Sequence, residues 1–437
     1  MRLIVLIYLT TGGTSMIVPW FNENTEFFKM KIRSIEDPNN EDSLPFILNA
    51  KQVNDSNKSL VNDSYIPQYV LENAPIVHLS DDELYFPQDI ETYIENFKVT
   101  DESNNTILED LTLQQLENTF TFRNDDLSLS NVHSSKTFLT SKTDFTQNPD
   151  YMFGSLYEYK NTGEIRKSAP SVLIVVDKGN GWVDAFWFFF YAFNNGPTVL
   201  GNGPWGSHLG DWEHCVVRFF NGQPKAIYMS QHSTGSAYDF NALEKFNGRP
   251  LVFSAKGTHG NYASPGRFSH DIPYIAFKPL NDVTDRGPLW DPTSKVYSYK
   301  FNPYKDNEVI PINADAKKIG RSWLYYQGHW GNRQLDKKDS RQKTSIFESK
   351  YVTGPRGPLY KNLDRVSICG DKNTKICHLK SHLRRSEGFH LAENQNGLVG
   401  NNCGVLLEKI KPRWLREIAY FITWRGSLCY LMDLYTG

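Results

Sequence analysis

SVLIVVDKGNGWVDAFWFFFYAF, running from Ser171 to Phe193, decides the fold. SVLIVV (Ser171 to Val176) is a continuous aliphatic run rich in β-branched residues, which suits a strand. DKGNG (Asp177 to Gly181) is turn chemistry, and WVDAFWFFFYAF (Trp182 to Phe193) returns as a long aromatic strand. The pattern predicts a hairpin with a five-residue loop. A run apolar at both alternating positions must be covered on both faces, as at the centre of a sandwich.

Working outward, Trp212 to Phe220 and Lys225 to Ser230 form a second hairpin around Asn221-Gly222. Leu251 to Ala255, Val296 to Phe301 and Ser322 to Gln327 read as further strands. Asp239 to Phe246 reads as a short helix ended by Asn247-Gly248. Upstream, IVHL after Pro75 is strand-like, Ser80 opens SDDE as a helix N-cap, and Asp89 to Phe97 carries helical spacing at Ile90, Tyr93, Ile94 and Phe97. A short helix is expected over Leu108 to Glu117 in an otherwise polar stretch, and a packed or amphipathic helix over Arg413 to Leu434. The expected fold is mainly β, with sandwich-like antiparallel sheets, a few short helices and long loops. The core falls at about residues 150 to 365, with 65–97 docked onto it.

The 437 residues divide into a signal-like apolar segment at 1–18, a polar arm at 19–64, a β domain at 65–365 and a C-terminal tail at 366–437. Arg2 followed by LIVLIYL and then small residues has the order of a secretory signal, with a buried N-terminal strand as the other reading. Sequons at Asn54, Asn57, Asn62 and Asn104 agree with a lumenal, glycosylated surface. Both features place the chain in the secretory or endomembrane route. The apolar ends leave membrane association open. With 47 basic and 49 acidic residues the chain has no global field for nucleic acid. Its five cysteines contain no CxxC pair, which speaks against a zinc knuckle. One or two disulfides in the last quarter, or free buried thiols throughout, both fit.

Asn194 to Arg267 concentrates His, Gly, Trp and acidic residues. In a strand, Asp211 and Glu213 point one way, and Trp212 and His214 the other. His208 sits in the preceding Gly-rich loop. His208, Asp211, Glu213, His232 and His259 together offer oxygen and imidazole ligands for a divalent metal. Alternatively Asp211 or Glu213 is a general base with His214 or His259 as its partner. Ser230 and Ser233 are conceivable nucleophiles, although no GxSxG elbow surrounds them. A third reading makes all these groups a mutually satisfied structural network.

The chain resembles the vacuolar protein sorting-associated protein 62 family. The resemblance is carried by APIVHLSDDELYFPQDI (Ala74 to Ile90), VDAFWFFFYAFNNGPTVLGN (Val183 to Asn202), HLGDWEH (His208 to His214) and MSQHSTGSAY (Met229 to Tyr238). SAKGTHGNYASPG (Ser254 to Gly266), TDRGPLWDP (Thr284 to Pro292) and GHWGNRQ (Gly328 to Gln334) continue it. It implies a role in delivering proteins to the vacuole, which is a pathway and not a mechanism. A protein cargo or glycan bound at the Gly/His-rich rim is the expected partner. The competing expectation is a lumenal metal-dependent hydrolase, which needs the five side chains to converge in one concave pocket.

Overall fold

A computed structural model describes residues 65–369, except 117–135, 167, 199–202, 233, 273–274, 306 and 346–347, together with 379–381 and 383. The signal-like segment, the polar arm with Asn54, Asn57 and Asn62, Ser233 and the stretch Arg413 to Leu434 lie outside the described residues.

The Ser171 hairpin forms the middle of an eight-stranded sheet. In spatial order its strands are Glu308–Pro311, Val296–Asn302, Ser171–Gly179, Trp182–Asn194, His208–Phe220, Gln223–Gln231, Thr234–Asp239 and Leu379–Lys380. All neighbours run antiparallel except Val296–Asn302 beside Ser171–Gly179 and Leu379–Lys380 beside Thr234–Asp239. The loop of the first hairpin is tighter than the five residues expected. Gly179 pairs with Trp182, leaving Asn180 and Gly181 as the turn, at φ 50° and 90°. Positive φ at both positions matches the right-handed strand twist, and Asn-Gly supplies it at little cost. The register shifts between Asp177 and Gly179, and Lys178 is buried there.

All thirteen residues of Trp182–Asn194 are buried. On one face, Phe186, Phe188, Phe190, Trp212 and Val216 pack with Trp323 and Trp330. On the other, Trp187, Phe189, Tyr191 and Cys215 pack with Val77, Val252 and Trp290 of a second sheet. That sheet runs Lys245–Phe246, Arg249–Ser254, Ile76–His78, Leu289–Trp290, with Asn261–Tyr262 paired to Arg249–Ser254. The fold is therefore mainly β and sandwich-like. The 65–97 segment supplies more than a cover. Ile76–His78 is an interior strand of the second sheet, parallel to Leu251–Phe253. Helix Ile90–Ile94, capped by the Asp89 carboxylate on the Glu91 N–H, sends Ile90, Tyr93 and Ile94 into the first layer.

Four expected elements differ. Ser80 caps no helix; its hydroxyl donates to Asp285 in a tight turn. Leu108 to Glu117 holds the end of strand Thr106–Leu108 and a 3-10 turn at Leu113–Gln115. Asp239 to Phe246 is a 3-10 turn at Phe240–Ala242 followed by strand Lys245–Phe246, because Asn247-Gly248 closes a hairpin and Phe246 pairs with Arg249. Ser322 to Gln327 is a 3-10 turn at Ser322–Tyr325, since the buried Trp323 and Leu324 are adjacent in sequence and both enter the same core. Among the described residues no helix is long and apolar enough to cross a membrane.

Candidate functional site

Strand His208–Phe220 begins at His208 itself, not in a loop. Gly210, at φ 63°, lets it pass Trp330: a Cβ there would stand 1.8 Å from the Trp330 carbonyl oxygen. From Asp211 onward the alternation is regular. Trp212 faces the first layer with Val216, while Cys215 and Val217 face the second sheet. Asp211 and Glu213 share the side of Cys215, so two carboxylates enter the space between the sheets. Both are buried.

The loop after Arg249–Ser254 brings His259 onto them. His259 adopts φ 58° between two glycines, and its N–H donates to the Ala255 carbonyl. Nδ1 lies 3.0 Å from Asp211 Oδ2, and Nε2 lies 3.0 Å from the Tyr85 carbonyl oxygen, with Glu83 3.9 Å away. A carbonyl oxygen and a carboxylate only accept, so both ring nitrogens donate and the ring is an imidazolium. Burial disfavours that charge, but the hydrogen bond to Asp211 and the nearby Glu83 carboxylate outweigh it and raise the ring to about 9. Asp211 and Glu83 are held below the usual carboxylate range against their own burial, chiefly by His259. Glu83 also accepts the backbone N–H groups of Leu84, Tyr85 and Gly257. An imidazolium with both N–H groups engaged has no lone pair to give a metal.

Glu213 is different. Burial and the charge of Asp211 push it up to about 7. It accepts a short hydrogen bond from the Ser230 hydroxyl, whose oxygen accepts the His214 N–H at 2.8 Å. His232, at φ 56°, turns to another partner: its Nε2 meets Asp282 Oδ2 at 2.9 Å, with the side chain 36% exposed. Asp282 also accepts from Tyr262 and Thr258. Burial works against the His232 charge, but Asp282 outweighs it and raises the ring to about 9. His208 is held below its usual value by burial, and its Nδ1 lies 3.4 Å from the Leu209 carbonyl oxygen.

Of the five residues singled out, Asp211 and His259 are joined directly, and Glu213 adjoins them on the same strand face. His232 is joined to Asp282, and His208 stands at the strand start. Among the described residues, no group of three or more His, Cys, Asp and Glu side chains is arranged to hold a metal ion. Glu83, Tyr85, Asp282 and Lys361 were missed by sequence reasoning, and the charge of Lys361 bears on Asp211, Glu213 and His214. Glu83 lies in SDDE, which has the pattern of a helix start; Asp282 has no local signal at all. Elsewhere, Cys369 is disulfide-bonded and Cys215 is free and buried. Asn104 is exposed in the turn joining Phe97–Thr100 to Thr106–Leu108.

Residues 157–346 match the family model described as "Vacuolar protein sorting-associated protein 62". The chain is 42% identical to "Vacuolar protein sorting-associated protein 62" of Saccharomyces cerevisiae, over 99% of this chain and 96% of that one. It is 46% identical to "Putative vacuolar protein sorting-associated protein TDA6" of the same organism, over 90% of this chain and 88% of that one. A crystal structure of Necrosis and Ethylene inducing Protein 2, from the causal agent of cocoa's Witches Broom disease, overlaps 48% of this chain and 74% of its own at TM-score 0.24 and 10% identity, which carries no argument.

Proposed function

This chain belongs to the vacuolar protein sorting-associated protein 62 family, and from that premise we propose that it serves vacuolar protein sorting from the lumenal side, as a recognition module. Its ligand is a protein cargo or a glycan, met around Glu213, on which the charges of Lys361 and His232 both bear. The chain enters the secretory route by its N-terminal segment and is glycosylated. The observation that carries the lumenal reading is the disulfide at Cys369, a bond that persists in oxidising compartments and is rare in the cytosol. Support for recognition over catalysis comes from the His259 imidazolium: with Asp211 and Tyr85 on its two nitrogens, it pins the loop and is not a free base.

The test is a sorting assay beside a protease-protection assay. In cells lacking the protein, a soluble vacuolar hydrolase should appear in the medium. The intact chain should restore retention, and a His232→Ala, Lys361→Ala variant that still folds should not. Digestion of the whole chain by protease added outside intact membranes would refute the lumenal placement.

A second reading, a lumenal metal-dependent hydrolase, draws on one observation. Glu213, at about 7 beside the Ser230 hydroxyl, has the basicity a general base needs near neutral pH. Elemental analysis of purified protein and of a His208→Ala, Glu213→Ala variant decides it: stoichiometric metal in the first and none in the second favours the hydrolase.

A further inference from the structure

Four Asn-Gly pairs lie within the described residues, beginning at Asn180, Asn195, Asn221 and Asn247. In this dipeptide the glycine nitrogen is able to attack the side-chain carbonyl carbon of the asparagine, because glycine has no Cβ in the way and the least restricted backbone. The fold decides which pair reaches that geometry. Three of them are held. The Asn195 N–H donates to the Gly257 carbonyl at 2.7 Å, and the Gly196 N–H, which carries the attacking nitrogen, donates to the Ser207 hydroxyl at 3.1 Å. Asn180-Gly181 and Asn221-Gly222 clasp each other. The Asn221 N–H donates to the Gly181 carbonyl at 2.8 Å, its side chain lies against Gly181, and Gly222 rests on the ring of Tyr69. Both turns join long strands of the buried central sheet.

Asn247-Gly248 differs on each count. It joins strand Lys245–Phe246 to Arg249–Ser254 through two residue pairs, Lys245 with Pro250 and Phe246 with Arg249. Lys245, Phe246, Asn247 and Gly248 are all exposed. A Cβ on Gly248 would meet nothing within 4 Å. Among the described residues, neither the Asn247 carboxamide nor the Gly248 N–H has a hydrogen-bond partner. The closed turn holds Asn247 at φ 50° and Gly248 at φ 83°, and the attack needs the Asn247 backbone to rotate out of it. Here that rotation parts two exposed residues from the sheet edge. At the other three pairs it would unseat buried strands or a hydrogen-bonded loop, which opens far less often.

We propose that Asn247 is a self-modification site, at which the Gly248 nitrogen closes a succinimide ring that water reopens to aspartate or isoaspartate. A bond forms from the Gly248 nitrogen to Cγ of Asn247, and the N–H proton passes to solvent. The carboxamide C–N bond breaks and ammonia leaves with its electron pair, protonated by solvent. Water then adds to one of the two ring carbonyl carbons and cleaves its bond to the ring nitrogen. Opening at the side-chain carbonyl leaves aspartate. Opening at the main-chain carbonyl leaves isoaspartate, with the backbone running through the former side chain. Either product adds a negative charge. Isoaspartate also lengthens the backbone of a two-residue turn by one methylene, so Phe246 and Arg249 no longer meet in register. The change falls beside Glu244, whose carbonyl accepts the Leu251 N–H and whose carboxylate pairs with Arg286. An aged chain thus differs from a new one at the edge of the second sheet, in a turn that takes no part in the Asp211 and Glu213 cluster.

The experiment is peptide mapping by mass spectrometry on the purified full chain, incubated folded in mildly alkaline buffer and, in parallel, unfolded in urea at the same pH. In the folded protein Asn247 should convert within about tenfold of its rate in urea, while Asn180, Asn195 and Asn221 should each be slowed about a hundredfold or more. Isoaspartate should be the larger product, read by methyl transfer from a labelled donor with an isoaspartyl methyltransferase. Asn247→Gln should remove the early product, since the longer side chain closes its ring far more slowly. Protection of Asn247 as strong as that of Asn221 overturns the site. So does aspartate without isoaspartate, which would mean direct hydrolysis of the carboxamide with no ring.

Discussion

The imidazole of His259 lies flat on the ring of Tyr191, with centroids 3.8 Å apart and planes within 2°. Tyr191 belongs to the central strand and His259 to a loop between the sheets, so the contact ties loop to core. The ring face is the negative part of an aromatic, and a cation stacked on it is stabilised. With Asp211 and Glu83 at its edges, the His259 charge is compensated on three sides.

His259→Asn should therefore unfold at lower denaturant, with a loss of about 3 kcal/mol or more, because two buried carboxylates lose their cation. Asparagine tolerates the positive φ of this position, so the loss reports charge and not backbone strain. Urea denaturation of both proteins measures it. A loss under about 0.5 kcal/mol would show that the carboxylates do not depend on the imidazolium.

Stability should increase as pH falls from 9 toward 6.5. His259 and His232 stand at about 9 against an ordinary 6.5, so their contribution is complete below 6.5 and is lost as pH rises through 9. Glu213 stands at about 7 against 4.5; the folded state binds its proton more tightly, and the cost of ionising it grows from 4.5 to 7. The depressed carboxylates Asp211, Glu83 and Asp184 oppose this only in more acid solution, as pH falls through their folded values. Below pH 6.5, His214, His208, His78 and His329, all held under their ordinary value by burial, take the opposite sign as the unfolded chain gains their protons, so a melting series should peak near pH 6.5. Glu213→Gln should steepen the fall below pH 6.5 and leave the slope between 7 and 9. A series that climbs steadily from pH 5 to pH 9 contradicts the assignment.

Arg218 and Asp184 meet through two contacts of 2.7 Å with neither side chain exposed. Removing one partner strands the other. Arg218→Met should cost about 3–5 kcal/mol by chemical denaturation, while Arg218→Met combined with Asp184→Leu should recover most of it. Additive losses in the double variant would mean that the pair is not the unit that matters, and that the Arg218 bond to the Val366 carbonyl is.

Local chemistry made the central hairpins legible. Asn180-Gly181 and Asn221-Gly222 name their turns, and the apolar run between them names a strand buried on both faces. The period of two also placed Asp211 and Glu213 together and Trp212 opposite. What escaped was pairing over distance. Glu83 and Tyr85 reach His259 from a turn far upstream, and Asp282 reaches His232 from another strand. No local pattern encodes those meetings. The 3-10 turns at Phe240–Ala242 and Ser322–Tyr325 escaped for a related reason: a few residues of either element look alike until their packing partners are known.

Asn104 offers the most direct check on the lumenal placement. The turn around it is organised by Asp101, whose carboxylate accepts from the N–H groups of Ser103 and Asn105 and from the Asn105 side chain. Asn104 gives its backbone N–H to the Asp101 carbonyl and projects an exposed carboxamide, with the sequon threonine, Thr106, exposed two positions on. Nothing in the fold need open for a glycan to be added there. Thr106→Ala removes the sequon without disturbing the positive φ of Asn104. Protein from a secretory host should lose one endoglycosidase-sensitive mass increment on this substitution, with stability changed by less than about 0.5 kcal/mol. If Asn54, Asn57 or Asn62 carries glycan and Asn104 does not, the lumenal placement stands and the site at Asn104 falls. If none of the four is modified, the lumenal placement loses its glycan support and rests on the disulfide alone.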